Sequence, residues 1–344
     1  VGKSSSKLPM TGMRPIESYI GKLRLSCGRN CGPSSLHTAQ ARQGTQKLER
    51  YFPAWSDNNS LYCCAGAARI DDAGFTMSNM NIAGLMSLKG RRALVTGAAG
   101  HVGPVAAQVL LEMGAEVVIS DRDPGKLAAK ARELGLDDAH WISADLTSEQ
   151  DVISMVRFSA DRMGGMDVIV HTAALTGTGA DSRHRGWAVP FEEQSVDAFK
   201  YSLDLNLVCP FLMARELKEE KRDGGQGVIL LMGSIYGLVG PQPSMYEGID
   251  NIGQAPVGYS AAKGGVVQLT RHLAAILGPA IRCNSLVPGG LLRGQPREFI
   301  KRYSERTPLG RMGTEDDLRG AVAFLCTDLS AYMTGQTICV DGGF

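Results

Sequence analysis

Tyr259 and Lys263 are four residues apart in the segment Tyr-Ser-Ala-Ala-Lys. If this segment is helical, both side chains lie on one face about a turn apart, so the ammonium can act on the phenol. A free phenol has a pKa of about 10, which is too high for ready proton exchange at neutral pH. A nearby cation stabilises the phenolate, so the pair predicts a general acid or base. The same spacing also fits a half-buried tyrosine beside a lysine that reaches solvent along its stem.

Three further features precede this pair in the chain and favour the chemical interpretation. An apolar, strand-like run ends in a glycine turn near residue 97, and Asp121 follows the next predicted strand. Ser234 follows a later predicted strand and supplies a hydroxyl, although it could also be a turn residue. In this order the features predict an oxidoreductase that transfers hydride.

The composition is that of an ordinary globular protein. The 344 residues are 44% hydrophobic and 21% charged, which is ample for one large α/β domain and would permit two. The net charge of +1 gives no electrostatic reason to expect nucleic acid, and no apolar run approaches the ~18 residues of a membrane span. We therefore predict that neither nucleic acid nor a membrane is a partner.

The eight cysteines divide into two groups of four. Those after residue 86 are scattered among apolar neighbours, as buried free thiols of a reducing compartment would be: Cys209, Cys283, Cys326 and Cys339. This pattern favours the cytoplasm. The earlier group lacks the paired spacing of a zinc site, so no metal is predicted: Cys27, Cys31, Cys63 and Cys64.

Residues 1–85 are predicted to be an N-terminal extension of low order, and residues 86–344 a single dinucleotide-binding domain. The extension is rich in Ser, Gly, Asn and Arg and has no sustained apolar period. Its first fifty residues hold nine Lys or Arg against two Glu, a composition that fits an organelle transit peptide. An over-extended reading frame or added sequence fits at least as well, with Met86 as the native start.

From Arg92 onward, short apolar runs alternate with helical stretches. This alternation predicts right-handed βαβ crossovers and a mostly parallel sheet with helices on both faces, which is a doubly wound α/β fold. The predicted strands cover residues 92–96, 115–120, 140–143, 167–171, 227–232, 281–286 and 337–340.

The segment from Val95 to Gly103 closes the first predicted strand and opens a helix. A glycine turn at this place lets backbone N–H groups and the helix N-terminus meet a pyrophosphate. Asp121 can accept hydrogen bonds from an adenosine ribose and would repel a 2′-phosphate, so NAD is favoured over NADP. Arg122 beside it weakens this preference. Asp145 could accept from the adenine amino group, act as a helix N-cap, or do both.

Residues from about Leu88 to Phe344 resemble the short-chain dehydrogenase/reductase family. The resemblance rests on residues spread along this segment: Thr96, Gly97, Gly100, Gly103, Asp121, Asp145, Asn206, Ser234, Tyr259, Lys263, Pro288, Gly289, Gly335 and the terminal Val340-Asp-Gly-Gly. It implies a three-layer Rossmann-like sandwich with a seven-stranded sheet, a nicotinamide cofactor, and a homodimer or homotetramer.

The resemblance also implies a role for each site residue. Tyr259 would exchange the proton of the substrate oxygen, Ser234 would hold that oxygen, and Lys263 would lower the phenol's pKa and bind the nicotinamide ribose. Asn206 would support Lys263 through a water-mediated proton relay, although it could also be a hydrogen bonder inside a helix. The implied cofactor-binding residues are Gly97, Gly100, His101, Val102, Gly103, Asp121, Asp145, Leu146, Ala173, Tyr259, Lys263, Pro288 and Gly289.

Three features depart from the family pattern. His101 stands where the glycine turn usually has its second glycine, which leaves the geometry of the phosphate loop open. The run His171-Thr-Ala-Ala replaces the usual Asn-Asn-Ala-Gly, so amide groups that brace the sheet are expected to be missing. Ser234 and Tyr259 are farther apart than usual because residues 241–257 form an inserted loop.

Loops at the carboxyl ends of the strands should select the substrate, and residues 175–190, 241–257 and 290–303 qualify. Two of these segments are basic, through Arg183, His184 and Arg185 and through Arg293, Arg297, Lys301 and Arg302. The charges fit a solvated helix face or subunit contact, or an anionic substrate such as a sugar phosphate, nucleotide sugar or carrier-linked acyl group. The insertion and the segment 302–312 also resemble a subgroup associated with bacterial surface-glycan and flagellin-sugar modification.

We therefore predict an NAD-dependent oxidoreductase that interconverts a secondary alcohol and a ketone on a polar or sugar-derived small molecule. A 3-oxoacyl carrier-protein reductase is the alternative among enzymes, but it would need NADPH, which Asp121 disfavours. A dinucleotide-binding sensor or structural subunit without turnover is the alternative outside catalysis.

Overall fold

A computed structural model gives the fold and describes residues 81–174, 189–249 and 255–344. Several sequence predictions lie outside these residues: the extension up to residue 80, the basic residues Arg183, His184 and Arg185, the four cysteines before residue 86, and residues 250–254 of the inserted loop. The boundary between the extension and the domain stays a prediction.

Seven strands form one sheet in the order β3-β2-β1-β4-β5-β6-β7, and every neighbouring pair is parallel. The strands are β1 Arg92–Thr96, β2 Glu116–Asp121, β3 Trp141–Ser143, β4 Val168–His171, β5 Gly227–Met232, β6 Ile281–Pro288 and β7 Thr337–Val340. The doubly wound, seven-stranded fold predicted from the sequence is confirmed, and each strand begins and ends within two residues of its predicted position.

Helices follow the strands along the chain, as the alternation of apolar runs predicts. They are α1 Ile82–Met86, α2 Val102–Glu112, α3 Pro124–Glu133, α4 Glu149–Met163, α5 Val196–Leu203, α6 Cys209–Glu220, α7 Val257–Leu277, α8 Arg297–Arg306 and α9 Arg319–Cys326. A π-helical turn, Asp204–Val208, joins α5 to α6.

The core lies on both faces of the sheet. In β1, Leu94 belongs to one apolar cluster, whereas Ala93 and Val95 belong to another, and all three side chains are fully buried. A strand covered on both faces is apolar at successive positions rather than at alternate ones. This is why the sequence of β1 is a continuous apolar run.

The sheet places a crevice beside the end of β1. Thr96, the last residue of β1, pairs with Ser120 of β2 on one side and with His171 of β4 on the other. The order of the strands reverses at this point, and open α/β sheets bind ligands outside the carboxyl ends of their strands there. The glycine turn that begins at Gly97 opens into this crevice.

A buried ion network fixes the opposite, amino-terminal edge of the central strands. The Asp167 carboxylate, just before β4, accepts from Arg92 Nε at 2.7 Å and from Lys221 Nζ at 2.7 Å. It also accepts from the Arg92 backbone N–H at 3.0 Å. Burial would raise the pKa of Asp167, but the bonds from Arg92 and Lys221 outweigh burial and lower it to about 2.

Replacing Asp167 with asparagine is expected to lower the free energy of unfolding by about 3 kcal/mol, because two cations then face a neutral amide. Urea unfolding at pH 7 measures this loss, and the exposed Asp161→Asn on α4 is the matched control. The folded pKa of Asp167 is below the unfolded value of about 3.9, so its contribution is complete above pH 4 and is lost towards pH 2. An Asp167→Asn loss no larger than that of the control would contradict the network's role.

None of the helices in the described parts of the chain is long and apolar enough to cross a membrane. Within the same residues, no group of three or more His, Cys, Asp and Glu side chains is arranged to hold a metal ion.

Candidate active site

The turn after β1 requires glycine at two positions. Gly97 has a φ of +74°, and a Cβ on it would lie 2.6 Å from the Ala173 backbone nitrogen. A Cβ on Gly103 would lie 2.4 Å from the Gly97 carbonyl oxygen. Both distances are far below van der Waals contact, so side chains are excluded and the backbone stays open at the start of α2.

His101 precedes α2 with a φ of −99° and a ψ of −48°. These angles are in the right-handed helical region, which any residue adopts. The turn therefore needs no glycine at this position, and its tight geometry is kept with histidine there. His101 is exposed, and with Gly100 and Val102 it lines the cavity described below.

Asp121, at the end of β2, is held by backbone donors. Its Oδ2 accepts from the Ala99 N–H at 3.0 Å, and its Oδ1 accepts from the Arg122 N–H at 2.8 Å. The carboxylate thus lies against the glycine turn, one strand away from β1. This is the position in which an acidic residue can meet the ribose of a dinucleotide.

Asp145 is in the turn before α4, and it is not the N-cap of that helix. Ser148 is the N-cap, because its side chain accepts from the Asp151 N–H. Asp145 Oδ1 accepts instead from the Thr147 N–H at 3.0 Å and from the Thr147 hydroxyl at 2.7 Å. The segment 145–149 thus caps the helix, as predicted, but through Ser148, and the Asp145 side chain lines the cavity beside Leu146.

Ser234, Tyr259 and Lys263 meet at the carboxyl end of β5. Ser234 follows this strand and is buried, and its hydroxyl is hydrogen-bonded to the Tyr259 phenol. Tyr259 and Lys263 share one face of α7, with Lys263 Nζ 5.7 Å from the centre of the Tyr259 ring. Lys263 Nζ donates to the Met232 carbonyl at 2.6 Å, so the ammonium is anchored to the end of β5.

Burial dominates the electrostatics of these groups. It raises the pKa of the Tyr259 phenol, and the Ser234 hydroxyl and the Arg293 charge oppose this rise. Burial also lowers the pKa of Lys263 to about 7. A lysine with this pKa exchanges protons readily at neutral pH.

Asn206 lies in the π-helical turn and is buried. Its Nδ2 donates to the Ser202 carbonyl at 2.9 Å, whereas its buried Oδ1 accepts from no described residue. The turn packs against α7, where a Cβ on Gly265 would lie 2.8 Å from Leu207 Cδ1. Asn206 is thus close to the helix of Lys263 but is not in the wall of the cavity, and its relay role stays a prediction.

The amide groups of the family pattern are missing, as expected, but His171 braces the sheet in their place. Its Nδ1 accepts from the Thr96 hydroxyl at 2.8 Å, and its Nε2 donates to the Leu205 carbonyl at 3.0 Å. Burial, with the nearby positive charge of Lys263, lowers the pKa of His171 to about 3 and keeps the ring neutral. A neutral imidazole offers one donor and one acceptor, which are the two groups needed here.

The inserted loop is anchored to α8 in the part that the structure describes. The Tyr246 ring packs against Phe299 with centroids 5.3 Å apart, and the Tyr246 hydroxyl is 2.6 Å from the Tyr236 hydroxyl. Tyr303, on the same helix, stacks on Phe344 at 4.5 Å, and its hydroxyl accepts from the Gly290 N–H at 2.5 Å. These aromatic contacts join the insertion, α8 and the loop after β6.

The glycine turn, Asp121 and the side chains of Ser234, Tyr259 and Lys263 line one cavity of about 360 Å³. Thirteen predicted site residues line it: Gly97, Gly100, His101, Val102, Asp121, Asp145, Leu146, Ala173, Ser234, Tyr259, Lys263, Pro288 and Gly289. Gly103 and Asn206 are outside its wall. The lining also includes Arg122 and Arg293, whose basic character the sequence analysis noted. Among the lining residues without such a signal in the sequence are Thr172, Tyr201, Met232, Leu291 and Gln295.

The cavity fits a nicotinamide dinucleotide. Glycine leaves the backbone open at the start of α2, which has eleven residues and whose N-terminus favours a pyrophosphate. Asp121 can hold the adenosine ribose. Pro288 and Gly289, at the end of β6 beside β5, line the same cavity as Ser234, Tyr259 and Lys263. The sheet and the cavity together are those of a dinucleotide-binding Rossmann-type protein.

Comparison with known proteins agrees with this class. A family profile described as enoyl-(acyl carrier protein) reductase matches residues 97–344. Cis-4-hydroxycyclohexanecarboxylate dehydrogenase of Sinomonas cyclohexanicum is 31% identical over 261 residues, covering 74% of this chain and 96% of that protein. L-Rhamnose 1-dehydrogenase (NAD(P)(+)) of Sphingomonas sp. strain SKA58 is 31% identical over 268 residues, with coverage of 74% and 96%. The crystal structure of a short-chain type dehydrogenase/reductase from Mycobacterium marinum has a TM-score of 0.61 at 31% identity, with coverage of 77% and 98%.

The chain belongs to the short-chain dehydrogenase/reductase family, because a family profile and full-length relatives match most of its length. It is accordingly an NAD(P)-dependent oxidoreductase. Enzymes of this family are commonly oligomeric.

Proposed function

We propose that the protein interconverts a secondary alcohol and a ketone, with Tyr259 as the general acid and base. The observation that carries this proposal is the hydrogen bond between Ser234 and Tyr259 at one end of the cavity, with Lys263 on the same helix face. A bound nicotinamide supplies or accepts the hydride. In reduction, Tyr259 gives its proton to the carbonyl oxygen, which Ser234 holds; in oxidation the proton moves the other way.

Lys263 and Asn206 are proposed to return the proton to solvent. The buried ammonium has a pKa of about 7, so it can both accept and release a proton near neutrality. Asn206 Oδ1 is a buried acceptor in the turn that packs against α7, which supports a relay at this place.

The proposed cofactor is NAD rather than NADP. The Asp121 carboxylate is fixed by backbone N–H groups at the end of β2, where a 2′-phosphate would meet its negative charge. Fluorescence titration of the full chain with NADH and with NADPH tests this proposal. Tighter binding of NADH supports it, whereas a preference for NADPH would revive the 3-oxoacyl carrier-protein reductase alternative. Binding of neither dinucleotide would overturn the proposed function.

Asp121→Asn is expected to raise the dissociation constant of NADH about tenfold, because a hydrogen bond to a charged group is replaced by a neutral one. The same change should strengthen NADPH binding, since Arg122 then faces the 2′-phosphate without the carboxylate. Asp123→Asn is the matched control: Asp123 caps α3 on the same loop, and it does not line the cavity. Equal NADH affinities of Asp121→Asn and Asp123→Asn would show that Asp121 does not hold the ribose.

The proposed substrate is a polar or sugar-derived small molecule. Two relatives are named for a hydroxylated ring acid and for a sugar, and both are compounds in which a ring carries a secondary alcohol. A place in bacterial surface-glycan or flagellin-sugar modification is the more specific form of this proposal, and a panel of sugar-derived alcohols and ketones with NAD and NADH tests it.

We further propose a homodimer or homotetramer in the cytoplasm. Phe199 of α5, Phe211 of α6 and Val208 between them are exposed apolar side chains, which supports burial against a second copy. Of the four thiols expected to be buried, those of Cys209, Cys283 and Cys326 are buried and suit a reducing compartment, whereas Cys339 is exposed.

A further inference from the structure

The basic residues after β6 have different surroundings, which the sequence does not distinguish. Arg302, on α8, donates to the carbonyls of Ser244 and Glu247 and to the Glu298 carboxylate. Its charge is therefore used to hold the inserted loop. Arg293 instead lies in the loop before α8 and lines the cavity.

The Arg293 guanidinium is held in the cavity wall through its Nε atom. Its Nε donates to Glu315 Oε1 at 2.8 Å, and the two side chains are only 25% and 23% exposed. Its backbone N–H donates to Gln295 Oε1 at 2.7 Å, and Gln295 Nε2 donates back to the Leu291 carbonyl at 2.8 Å. The loop is thus closed on itself, and the guanidinium is fixed by Glu315 from the 3-10 turn Glu315–Leu318.

The two Nη groups of Arg293 donate to nothing within the described residues. A guanidinium presents its Nη groups as a fork that matches a carboxylate or a phosphate with two parallel hydrogen bonds. Because Glu315 accepts from Nε, the fork of two Nη groups can bind an anion. An anion that binds the fork meets the positive guanidinium directly, while the Glu315 carboxylate is at the Nε side.

The pair interacts electrostatically with groups of the cavity. Arg293 is near enough to Tyr259 for its positive charge to lower the pKa of the phenol, against the larger effect of burial. The pKa of the Glu315 carboxyl is lowered, against the effect of burial, by Arg293 and in smaller part by His101 at the glycine turn. Arg293 thus lines the same cavity as Tyr259 and the start of α2.

We propose that Arg293 is the anion-binding residue of this cavity and that Glu315 positions its guanidinium to receive a carboxylate or phosphate group. This inference rests on the proposed function of the same site. The anionic group that the guanidinium binds has two sources, the pyrophosphate of the cofactor and an acidic group on the substrate. Both have the same oxygen-anion chemistry, and the experiment separates them.

The experiment compares the full chain with its Arg293→Gln and Arg293→Lys variants. Nicotinamide fluorescence gives the dissociation constant of NADH and then, on the NADH complex, of 4-hydroxycyclohexanecarboxylate and its neutral carboxamide. Arg293→Gln is expected to weaken the binding of NADH, of the acid or of both about tenfold, because hydrogen bonds from a charged donor are lost. Arg293→Lys should recover only part of the affinity, since lysine keeps the charge without the fork. Carboxamide affinity should not change.

Three matched measurements keep the result specific. Arg297→Gln removes an exposed arginine of the same segment outside the cavity and should change neither affinity. Glu315→Gln keeps the shape of the partner but releases the guanidinium, so it should weaken the same anion that Arg293→Gln weakens. The thermal midpoint of each variant is recorded, because a merely structural ion pair would lower that midpoint without separating the acid from the carboxamide.

Each outcome decides the inference. Weaker NADH binding in Arg293→Gln assigns the fork to the cofactor pyrophosphate, and weaker binding of the acid alone assigns it to the substrate. If Arg293→Gln binds both NADH and the acid as tightly as the unaltered chain does, the inference is overturned while the proposed function stands. If the unaltered chain binds neither NADH nor NADPH, the proposed function itself fails.

Discussion

Replacing Tyr259 with phenylalanine is expected to lower kcat about a thousandfold while NADH still binds, because proton transfer by a positioned side chain contributes about 10²–10⁴-fold. The variant keeps the aromatic ring between Ser234 and Lys263 and removes only the hydroxyl. Without that proton, reduction of the ketone would leave an unprotonated alkoxide. In the oxidation direction, an alkoxide would have to form before the hydride could leave. The loss should therefore appear in kcat rather than in the affinity for the cofactor.

The rate of NADH formation or consumption, followed at the nicotinamide absorbance with the best alcohol or ketone of the panel, measures this effect. Tyr246→Phe is the matched control, because it removes a tyrosine hydroxyl that bonds to Tyr236 outside the cavity wall. A Tyr259→Phe variant as fast as the unaltered chain would remove Tyr259 from the mechanism. If the unaltered chain binds NADH but turns over no member of the panel, the dinucleotide-binding sensor alternative is favoured.

His171 is expected to make the protein sensitive to acid well above the range in which carboxylates titrate. An unfolded histidine takes up a proton near pH 6.5, whereas folded His171 does so only near pH 3, because its ring is buried close to Lys263. Between these values the unfolded chain binds more protons, so falling pH favours unfolding. The contribution is complete above pH 6.5, and about 2 kcal/mol is lost between pH 7 and pH 5.

The change in the free energy of unfolding between pH 7 and pH 5 tests this expectation. In His171→Asn most of that change should disappear, because asparagine cannot take up the proton. The absolute stability at pH 7 can differ for other reasons, so only the difference between the two pH values is compared. His272→Asn removes an exposed histidine of α7 and should leave the difference as it is in the unaltered chain. An equal pH dependence of the His171→Asn variant and the unaltered chain would show that His171 is not the group responsible.

The acid response has a consequence for the active site. His171 bonds to the Leu205 carbonyl, one residue before Asn206, and to Thr96 at the start of the glycine turn. The same neutral ring therefore joins the end of β1 to the π-helical turn that packs against α7. In a charged ring both nitrogens donate, so the Thr96 hydroxyl would have to turn and accept, and the buried charge would weigh on both elements together.

Much of the fold and of the site follows from local patterns in the chain. Strands buried on both faces are continuous apolar runs, so their positions were predictable within two residues. Tyr259 and Lys263 are one helical turn apart, and this spacing alone predicts that they share a face. The tight turn at Gly97 and Gly103 was likewise predictable, because a turn with no room for a Cβ admits only glycine.

Other properties depend on contacts between residues far apart in the chain, and no local pattern reports them. In the sequence, His171 only replaces an amide residue. The structure shows that its two ring nitrogens are hydrogen-bonded to Thr96 and Leu205. Arg293 and Arg302 are nine positions apart in one basic segment, but Glu315 holds the first in the cavity and the inserted loop engages the second. The pKa of Lys263 near neutrality likewise comes from burial, which is set by the packing of α7 on the sheet. Periodicity and spacing are properties of neighbours along the chain, whereas charge, protonation and hydrogen-bond partners belong to neighbours in space.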